Sequence, residues 1–311
     1  RTQSLLAYLP GSSVVRTVAD GVNVQVQPII SPDGRQLVYT ASQEVIGEWE
    51  TSMWALDSAT LATRWSVMIA TEPVTTEAYG PSISTDIAMT DDTVYVAAHR
   101  WQSDEPYTVR AFDSATGEQT AAIEIDLGEN GANPSLYAAA DAVYLLTTSV
   151  SDSATLSRSG WVRLNPDDLT EQARAIATLG ESEPVFGNWE TWPTPDGKSI
   201  YTIGIFAPGE PMVLAFLDLT TGEVLPSIPL PFDNQYGFTF ERAISPDGTE
   251  LYLFNPASGE IAIVDLTTRS LDRTVQVDMS RVQASRESIL GRVWGAVRGV
   301  LVQDAAAKVY F

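Results

Sequence analysis

Cysteine is absent from the 311-residue chain, histidine occurs once and lysine occurs twice. The lack of cysteine excludes disulfides, thiolate metal sites and a cysteine nucleophile. A zinc site with histidine ligands or a Ser-His-Asp triad would have to use His99, and neither a G-x-S-x-G nor an HExxH pattern stands near it. No apolar run approaches the roughly 18 residues of a membrane span, so we predict no span in this chain.

Positive charge is also scarce. Lys198, Lys308 and sixteen arginines face forty acidic residues, which gives a net charge of −22. Phosphate binding needs a basic face that releases counterions, so we predict no nucleic-acid partner, and anionic membranes are disfavoured likewise. Such an acidic surface is typical of a protein that stays soluble and monomeric. A cation site built from some of the carboxylates is the second interpretation.

One stretch, residues 241–278, shows how the chain is organised. It reads ERAISPDGTELYLFNPASGEIAIVDLTTRSLDRTVQVD. The runs AIS, ELYLF, EIAIVDL and RTVQVD are rich in β-branched and aromatic residues, and turn-forming groups such as Pro-Asp-Gly separate them. This pattern predicts a four-stranded antiparallel meander.

The unit recurs along the whole chain. A tyrosine of the second strand repeats every 49 to 58 residues, and an acidic or amide residue marks the end of the third strand. The tyrosines are Tyr39, Tyr95, Tyr144, Tyr201, Tyr252 and Tyr310, and the second marker is Asp57, Asp113, Asn165, Asp218 and Asp265. A period near fifty residues with four strands per unit predicts an all-β fold, a β-propeller.

We count six blades in a single domain over residues 1–311. The first blade covers about Val22 to Thr71, and the next four end near Gly128, Gly180, Pro231 and Asp278. The sixth takes two inner strands from about 291–311 and two outer strands from 3–20, because the segment around Arg16 matches the segment around Arg273 in register. Closure by N-terminal strands leaves no open blade edge. A further blade beyond Phe311 is the alternative.

The repeats SPDGRQLVYT, TPDGKSIYTI and SPDGTELYLF, followed by Asp-x-x-Thr-Gly-like turns, resemble those of bacterial YVTN-type and TolB-type β-propellers. The resemblance covers nearly the whole chain and implies the fold, in a superfamily of extracytoplasmic binding proteins and quinoprotein-like oxidoreductases. The second, third and sixth units depart from the Pro-Asp-Gly turn, and the Tyr-Val-Thr-Asn tetrad is nowhere intact.

The resemblance also bears on location. In propellers of this kind, a chain that begins with a residue other than methionine has commonly lost a signal peptide or a membrane anchor. Because this chain begins with Arg1, we expect an extracytoplasmic protein. A chosen chain boundary accounts for Arg1 equally well.

Binding residues are expected on the loops opposite the Pro-Asp-Gly turns, since these loops differ most between units. The loops combine tryptophans with carboxylates, and Trp101, Trp192 and Trp294 are the ring candidates. Rings beside carboxylates suit sugar stacking or cation capture, so we expect a small-molecule or protein partner at this face. The alternative is that the rings wedge between blades.

The first strands supply a second set of candidates. Counted from the hairpin turn, the residue equivalent to Glu241 is polar in every unit. The equivalents are Gln27, approximately Thr85, Ser135, Glu190 and Arg298. First strands line the axial channel of a propeller, so we expect a ligand site near Glu190, Glu241 and Arg298. A water-filled channel in which Glu241 pairs with Arg298 is the alternative.

Two classes of function follow. The first is a non-catalytic propeller that binds a ligand or a protein. The second is an enzyme at the channel mouth: a calcium-dependent lactonase or hydrolase with Glu190 and Glu241 as catalytic and metal-binding candidates, or a quinone-dependent dehydrogenase with His99 as general base. The sequence assigns no cofactor with certainty, and calcium is the candidate that the lactonase implies. An ordinary surface histidine in the 99–107 loop is the alternative for His99.

The closure model makes a direct prediction. Deleting residues 1–20 should unfold or oligomerise the protein, because it removes two strands of the sixth blade and exposes a long strand edge. Size-exclusion chromatography with light scattering and thermal melting measure the effect. A truncated protein that stays monomeric with an unchanged Tm contradicts closure.

Overall fold

The structure, a computed structural model, describes residues 3–8, 15–24, 28–74, 81–100, 103–127, 134–139, 141–150, 157–178, 191–194, 196–204, 212–232, 241–245, 247–255, 258–277, 301–303 and 308–310. The regular elements in these ranges are β-strands, so the predicted all-β class is confirmed. Within the same ranges, no helix has the length and apolar character of a membrane-spanning segment.

The first sheet contains six strands: β1 (Gln3–Tyr8), β2 (Val15–Val24), β3 (Ile29–Ile30), β4 (Gln36–Val45), β5 (Glu48–Asp57) and β6 (Thr63–Pro73). The second sheet is β7 (Ile83–Met89), β8 (Thr93–Arg100), β9 (Tyr107–Asp113) and β10 (Gln119–Ile125). The third is β11 (Ser135–Ala138), β12 (Val143–Val150), β13 (Ser157–Leu164) and β14 (Glu171–Thr178).

The fourth sheet is β15 (Thr191–Pro193), β16 (Ser199–Gly204), β17 (Val213–Asp218) and β18 (Val224–Pro229). The fifth is β19 (Glu241–Ile244), β20 (Glu250–Asn255), β21 (Glu260–Asp265) and β22 (Ser270–Gln276). A two-stranded sheet follows, with β23 (Leu301–Gln303) and β24 (Lys308–Tyr310).

Five sets of four consecutive strands, β3–β6, β7–β10, β11–β14, β15–β18 and β19–β22, match the first five predicted units. The predicted ends at Gly128, Gly180, Pro231 and Asp278 fall two or three residues after the last strand of each sheet. Four-stranded antiparallel sheets in chain order are the arrangement of propeller blades.

The N-terminal strands form a hairpin that continues into the first sheet. β1 pairs with β2, and the end of β2 pairs with β4 through Asn23 and Val24, on the edge that β3 also uses. β23 pairs with β24. Strands therefore occur in both segments assigned to a sixth blade, but a pairing of β24 with β1 is not among those described. The six-blade count and the closure stay predictions.

In the first, fourth and fifth sheets, an aspartate side chain holds the first turn. In the first sheet, Asp33 accepts hydrogen bonds from the Ser31 hydroxyl at 2.6 Å and the Arg35 amide at 2.9 Å. Gly34 follows with φ of 73°, a left-handed conformation that glycine adopts without a Cβ penalty. The fifth sheet repeats this turn with Asp247. Serine, aspartate and glycine thus set where the second strand begins.

The chain divides into two compact units, residues 1–191 and 192–311. In the first unit, Tyr95, Val109 and Leu145 belong to a buried cluster between the second and third sheets. In the second unit, Phe216 and Leu251 belong to a buried cluster between the fourth and fifth sheets. The single-domain prediction for residues 1–311 stays a prediction.

The first and second sheets are also joined near their turns. The Trp65 Nε1–H and the Gln36 side-chain amide both donate to the Ser114 carbonyl oxygen, each at 2.8 Å. Gly117, which follows Ser114 in the turn after β9, lies against the Trp65 ring. A Cβ built on Gly117 would come within 2.7 Å of this ring, closer than real Cβ contacts allow.

Two glycines with the same backbone conformation provide a matched test of this contact. Gly117 and Gly34 have φ of 74° and 73°, and a Cβ on Gly34 would meet nothing within 4 Å. Gly34→Ala should cost about 1–2 kcal/mol of unfolding free energy from the left-handed backbone alone. Gly117→Ala should cost a further 1–3 kcal/mol, roughly, because Trp65 must move. Equal losses in urea denaturation contradict this packing.

Candidate functional site at the first strands

The turn between the first two strands is shorter in the second sheet, and this corrects one site prediction. The Ser245 amide bonds to the Glu250 carbonyl, five residues on, whereas the Thr90 amide bonds to the Thr93 carbonyl, three residues on. Counted back from these turns, Asp86 is the equivalent of Glu241. Thr85 is the wrong residue, because a one-residue slip in a strand moves a side chain to the opposite face.

Asp86 lies in β7 and reaches the neighbouring sheet. Its Oδ2 accepts a hydrogen bond from the Leu136 amide of β11 at 2.7 Å. The residue is half-buried but its carboxyl group is enclosed by protein, and this burial raises the pKa of Asp86 to about 7. The Leu136 and Ile87 amides offset the effect of burial only in part. Asp86 therefore changes charge close to neutral pH.

The other residues predicted at or near the position of Glu241 in their own sheets have different surroundings. Thr85 points to the first sheet, where its hydroxyl lies 2.7 Å from that of Thr40. Ser135, in the third sheet, is buried. Glu241 begins β19, with its main chain paired to Phe254, and its side chain lies outside the described residues. Also outside are Gln27, Trp101, Glu190, Trp294 and Arg298. Convergence of the predicted site thus stays a prediction.

Trp192 lies in β15, and a residue that the sequence analysis missed covers it. The Cζ of Arg242, in β19, lies 4.6 Å from the centre of the Trp192 ring. Trp192 also lies beside the buried Tyr201, with ring centres 5.7 Å apart. Arg242 follows Glu241, and its equivalents in the second and third sheets are the apolar residues Ile87 and Leu136. A charge at this position was the sequence signal that could have identified it.

His99 is not in a loop, as the sequence predicted, but in β8, where it is 3% exposed. Its ring stacks on Tyr107 with 4.0 Å between centres, and Nε2 lies 3.0 Å from the Glu105 carbonyl oxygen. A carbonyl only accepts, so Nε2 carries the hydrogen and Nδ1 carries the lone pair. Burial lowers the pKa of His99, which keeps the ring neutral at pH 7.

A buried carboxylate that contacts Arg100, the residue after His99, was also missed. Glu72, at the end of β6, is 5% exposed and accepts hydrogen bonds from the amides of Ser82 and Ile83 and from the Ser82 hydroxyl. Arg100 lies 3.8 Å from Glu72 and 3.3 Å from Glu105. These contacts fasten β6 to the start of β7 and the end of β8. An isolated glutamate in a strand offers no sequence signal for this role.

The described part of the chain contains no group of three histidine, aspartate or glutamate side chains placed to hold a metal ion. Because the side chains of Glu190 and Glu241 lie outside that part, the calcium prediction stays a prediction.

Comparison with known proteins identifies the fold. No protein-family model matches the chain, and no curated protein matches its sequence. The β-propeller domain of the trilobed protease from Pyrococcus furiosus matches with a TM-score of 0.52 and 14% identity, over 90% of this chain and 78% of that chain. The chain therefore has a β-propeller fold.

Two further structures are more distant. Apo AztD from Citrobacter koseri has a TM-score of 0.44 and 10% identity, over 88% of this chain and 79% of that chain. The Cps50 (Swd1) β-propeller domain from Myceliophteria thermophila has a TM-score of 0.44 and 12% identity, over 82% of this chain and 76% of that chain. These likenesses concern the fold, and the YVTN/TolB type stays a prediction.

The raised pKa of Asp86 predicts a specific pH dependence of stability. The folded pKa of about 7 exceeds the ordinary 3.8, so the folded state binds the proton more tightly and stability falls as pH rises between these values. Asp86→Asn keeps an acceptor for the Leu136 amide without the charge. We expect it to be more stable than wild type by about 1–3 kcal/mol near pH 8 and to differ little near pH 4.

Urea denaturation across this pH range measures the difference, and Asp113→Asn is the matched control. Hydrogen bonds from the side chain and amide of Thr116 lower the pKa of the exposed Asp113, so its replacement should reduce stability at neutral pH instead. Parallel pH curves for wild type and Asp86→Asn contradict the assignment.

Proposed function

We propose that this chain is a non-catalytic β-propeller that binds a small molecule or a protein, with the first strands of its sheets contributing the polar contacts. The observation that carries the proposal is the enclosed carboxyl of Asp86, held by Leu136 of the next sheet and titrating near neutral pH. Titratable groups with strongly perturbed pKa values occur preferentially at functional sites.

Residues equivalent to Asp86 in other sheets are also polar, which supports a site of more than one residue. Ser135 and Glu241 occupy the position of Asp86 in their own sheets, and by sequence so do Gln27 and Glu190. Ligand sites in proteins commonly combine a concave surface with a few placed polar groups. We infer that such a surface is formed where these first strands face the channel of a propeller.

The number of blades, the location and the oligomeric state of the protein are part of this proposal. Six blades closed by residues 3–20, an extracytoplasmic location and a monomeric state fit the repeat pattern and the net charge of −22. The ligand class at the predicted mouth follows from Glu190, Glu241 and Arg298, which suit a cation, a sugar or a lactone. Trp101, Trp192 and Trp294 are the proposed flanking rings.

An enzyme at the channel mouth is the second candidate, and His99 is the observation that favours it. The ring is neutral at pH 7, and its buried Nδ1 has no hydrogen-bond partner among the described residues, so a lone pair is available to accept a proton. Its 3% exposure requires the neighbouring chain to move before a substrate reaches it. If the enzyme is a lactonase, Glu190 and Glu241 are the catalytic candidates instead of His99.

Ligand titration tests the proposal. Calcium, simple sugars and lactones are added to wild type, Glu190→Gln and Asp86→Asn while tryptophan fluorescence is followed. We expect a saturable response to at least one of them in wild type, weakened about tenfold or more in a variant that removes a contact carboxylate.

Asp113→Asn again serves as the control, because this turn carboxylate lies at the other end of its strand from the loop face. Identical titrations in all four proteins show that these carboxylates are not where the ligand binds. Hydrolysis of a lactone that is lost in Glu190→Gln favours the lactonase instead.

A further inference from the structure

Arg242 occupies a position that is apolar in the second and third sheets and is the buried Thr191 in the fourth. Its equivalents in the second and third sheets, Ile87 and Leu136, are 4% and 3% exposed. Arg242 itself is half-buried in the fifth sheet, next to the core of the second unit. A cation in a half-buried position loses part of its hydration and needs a partner that restores it.

The described side chains provide only part of that partner. One face of the guanidinium group lies on Trp192, at 4.6 Å, and Nη1 reaches the Tyr201 hydroxyl at 3.5 Å, the long limit of a hydrogen bond. Among the described residues, none of the ion pairs involves Arg242. A guanidinium group has five N–H donors, so its stacking leaves donors at its edge for another acceptor.

The platform beneath the guanidinium is rigid. Tyr201 is fully buried, and its ring lies 6.1 Å from that of the equally buried Phe216. Trp192 is packed against the same core cluster. Because the rings below cannot move freely, the plane of the Arg242 group is set before any ligand arrives, and less entropy is lost when hydrogen bonds form.

We propose that Arg242, stacked on Trp192, binds the carboxylate of a small-molecule ligand. The planar fork of a guanidinium matches the two oxygens of a carboxylate, and a half-buried pair of this kind is stronger than an exposed one. A single negative charge is favoured over a phosphate dianion, because the chain carries a net charge of −22.

This inference rests on the proposed binding function and names the class of ligand. It also changes the expectation for this face. The site predicted from the sequence, with Glu190, Glu241 and Arg298 flanked by Trp192, suits a cation, a sugar or a lactone. Arg242 at the Trp192 ring favours an anion. The competing explanation is internal: Arg242 pairs with a carboxylate of its own chain and merely seals the core.

Matched probes separate these explanations. Benzoate, lactate and glucuronate are titrated by calorimetry and tryptophan fluorescence, each beside its uncharged amide. We expect at least one carboxylate to bind, with its amide bound at least about tenfold more weakly, and we expect the affinity to fall with added salt. Arg242→Met should lose the carboxylate response, and Arg242→Lys should retain part of it, since lysine keeps the charge but not the fork.

Arg269→Met is the control variant, since Arg269 also lies over an aromatic ring, 5.8 Å from Phe216, but is exposed. It should bind as wild type does. Circular dichroism and Tm establish that each variant is folded, and Trp192→Phe replaces Arg242→Met if that variant is not.

Equal carboxylate binding by wild type and folded Arg242→Met overturns the inference. Binding of calcium or a neutral sugar without any carboxylate also overturns it, while leaving the binding function intact. Failure of every probe in both titrations counts against both proposals.

Discussion

The hydrogen bond that closes the first hairpin of each sheet is the constraint on which the rest of this structure depends. The Ser31 amide bonds to the Gln36 carbonyl, and the Asp33 carboxylate holds the turn between them. This closure determines the register of the first strand against the second. Because alternate residues of a strand face opposite sides, the register also decides which side chains reach the neighbouring sheet.

The side chains that this register directs to a neighbouring sheet make contacts of different kinds. Asp86 accepts from the Leu136 amide, a donor on a strand edge that would otherwise be unpaired. In the second unit, the next position along the strand carries Arg242, which lies on Trp192. Polar and charged groups therefore occur where first strands approach adjacent sheets, while the clusters of Leu145 and Phe216 fill the space between neighbouring sheets.

The sequence predicted the five four-stranded sheets well, because turn residues and β-branched runs are local signals that repeat. It failed at Asp86 and His99 for a physical reason: the turn at Thr90 is two residues shorter than the Pro-Asp-Gly turn, and β8 continues one residue past His99. Glu72 could not be predicted, since its partners come from a strand whose proximity no local pattern encodes. The sequence signal for Arg242 was a charge at a position that is apolar in the second and third sheets.

The net charge of the chain says less about its ligand than the sequence suggests. Many of its carboxylates are already used by turns: a hydrogen bond from Ser245 lowers the pKa of Asp247, and the Thr268 amide does the same for Asp265. These groups are exposed, but they serve as acceptors for their own backbone and are not gathered into a cation site. Asp86 and Arg242 are among the groups whose partners lie in a neighbouring sheet, and they carry opposite charges. We expect the overall acidity to act mainly by discouraging multiply charged anions.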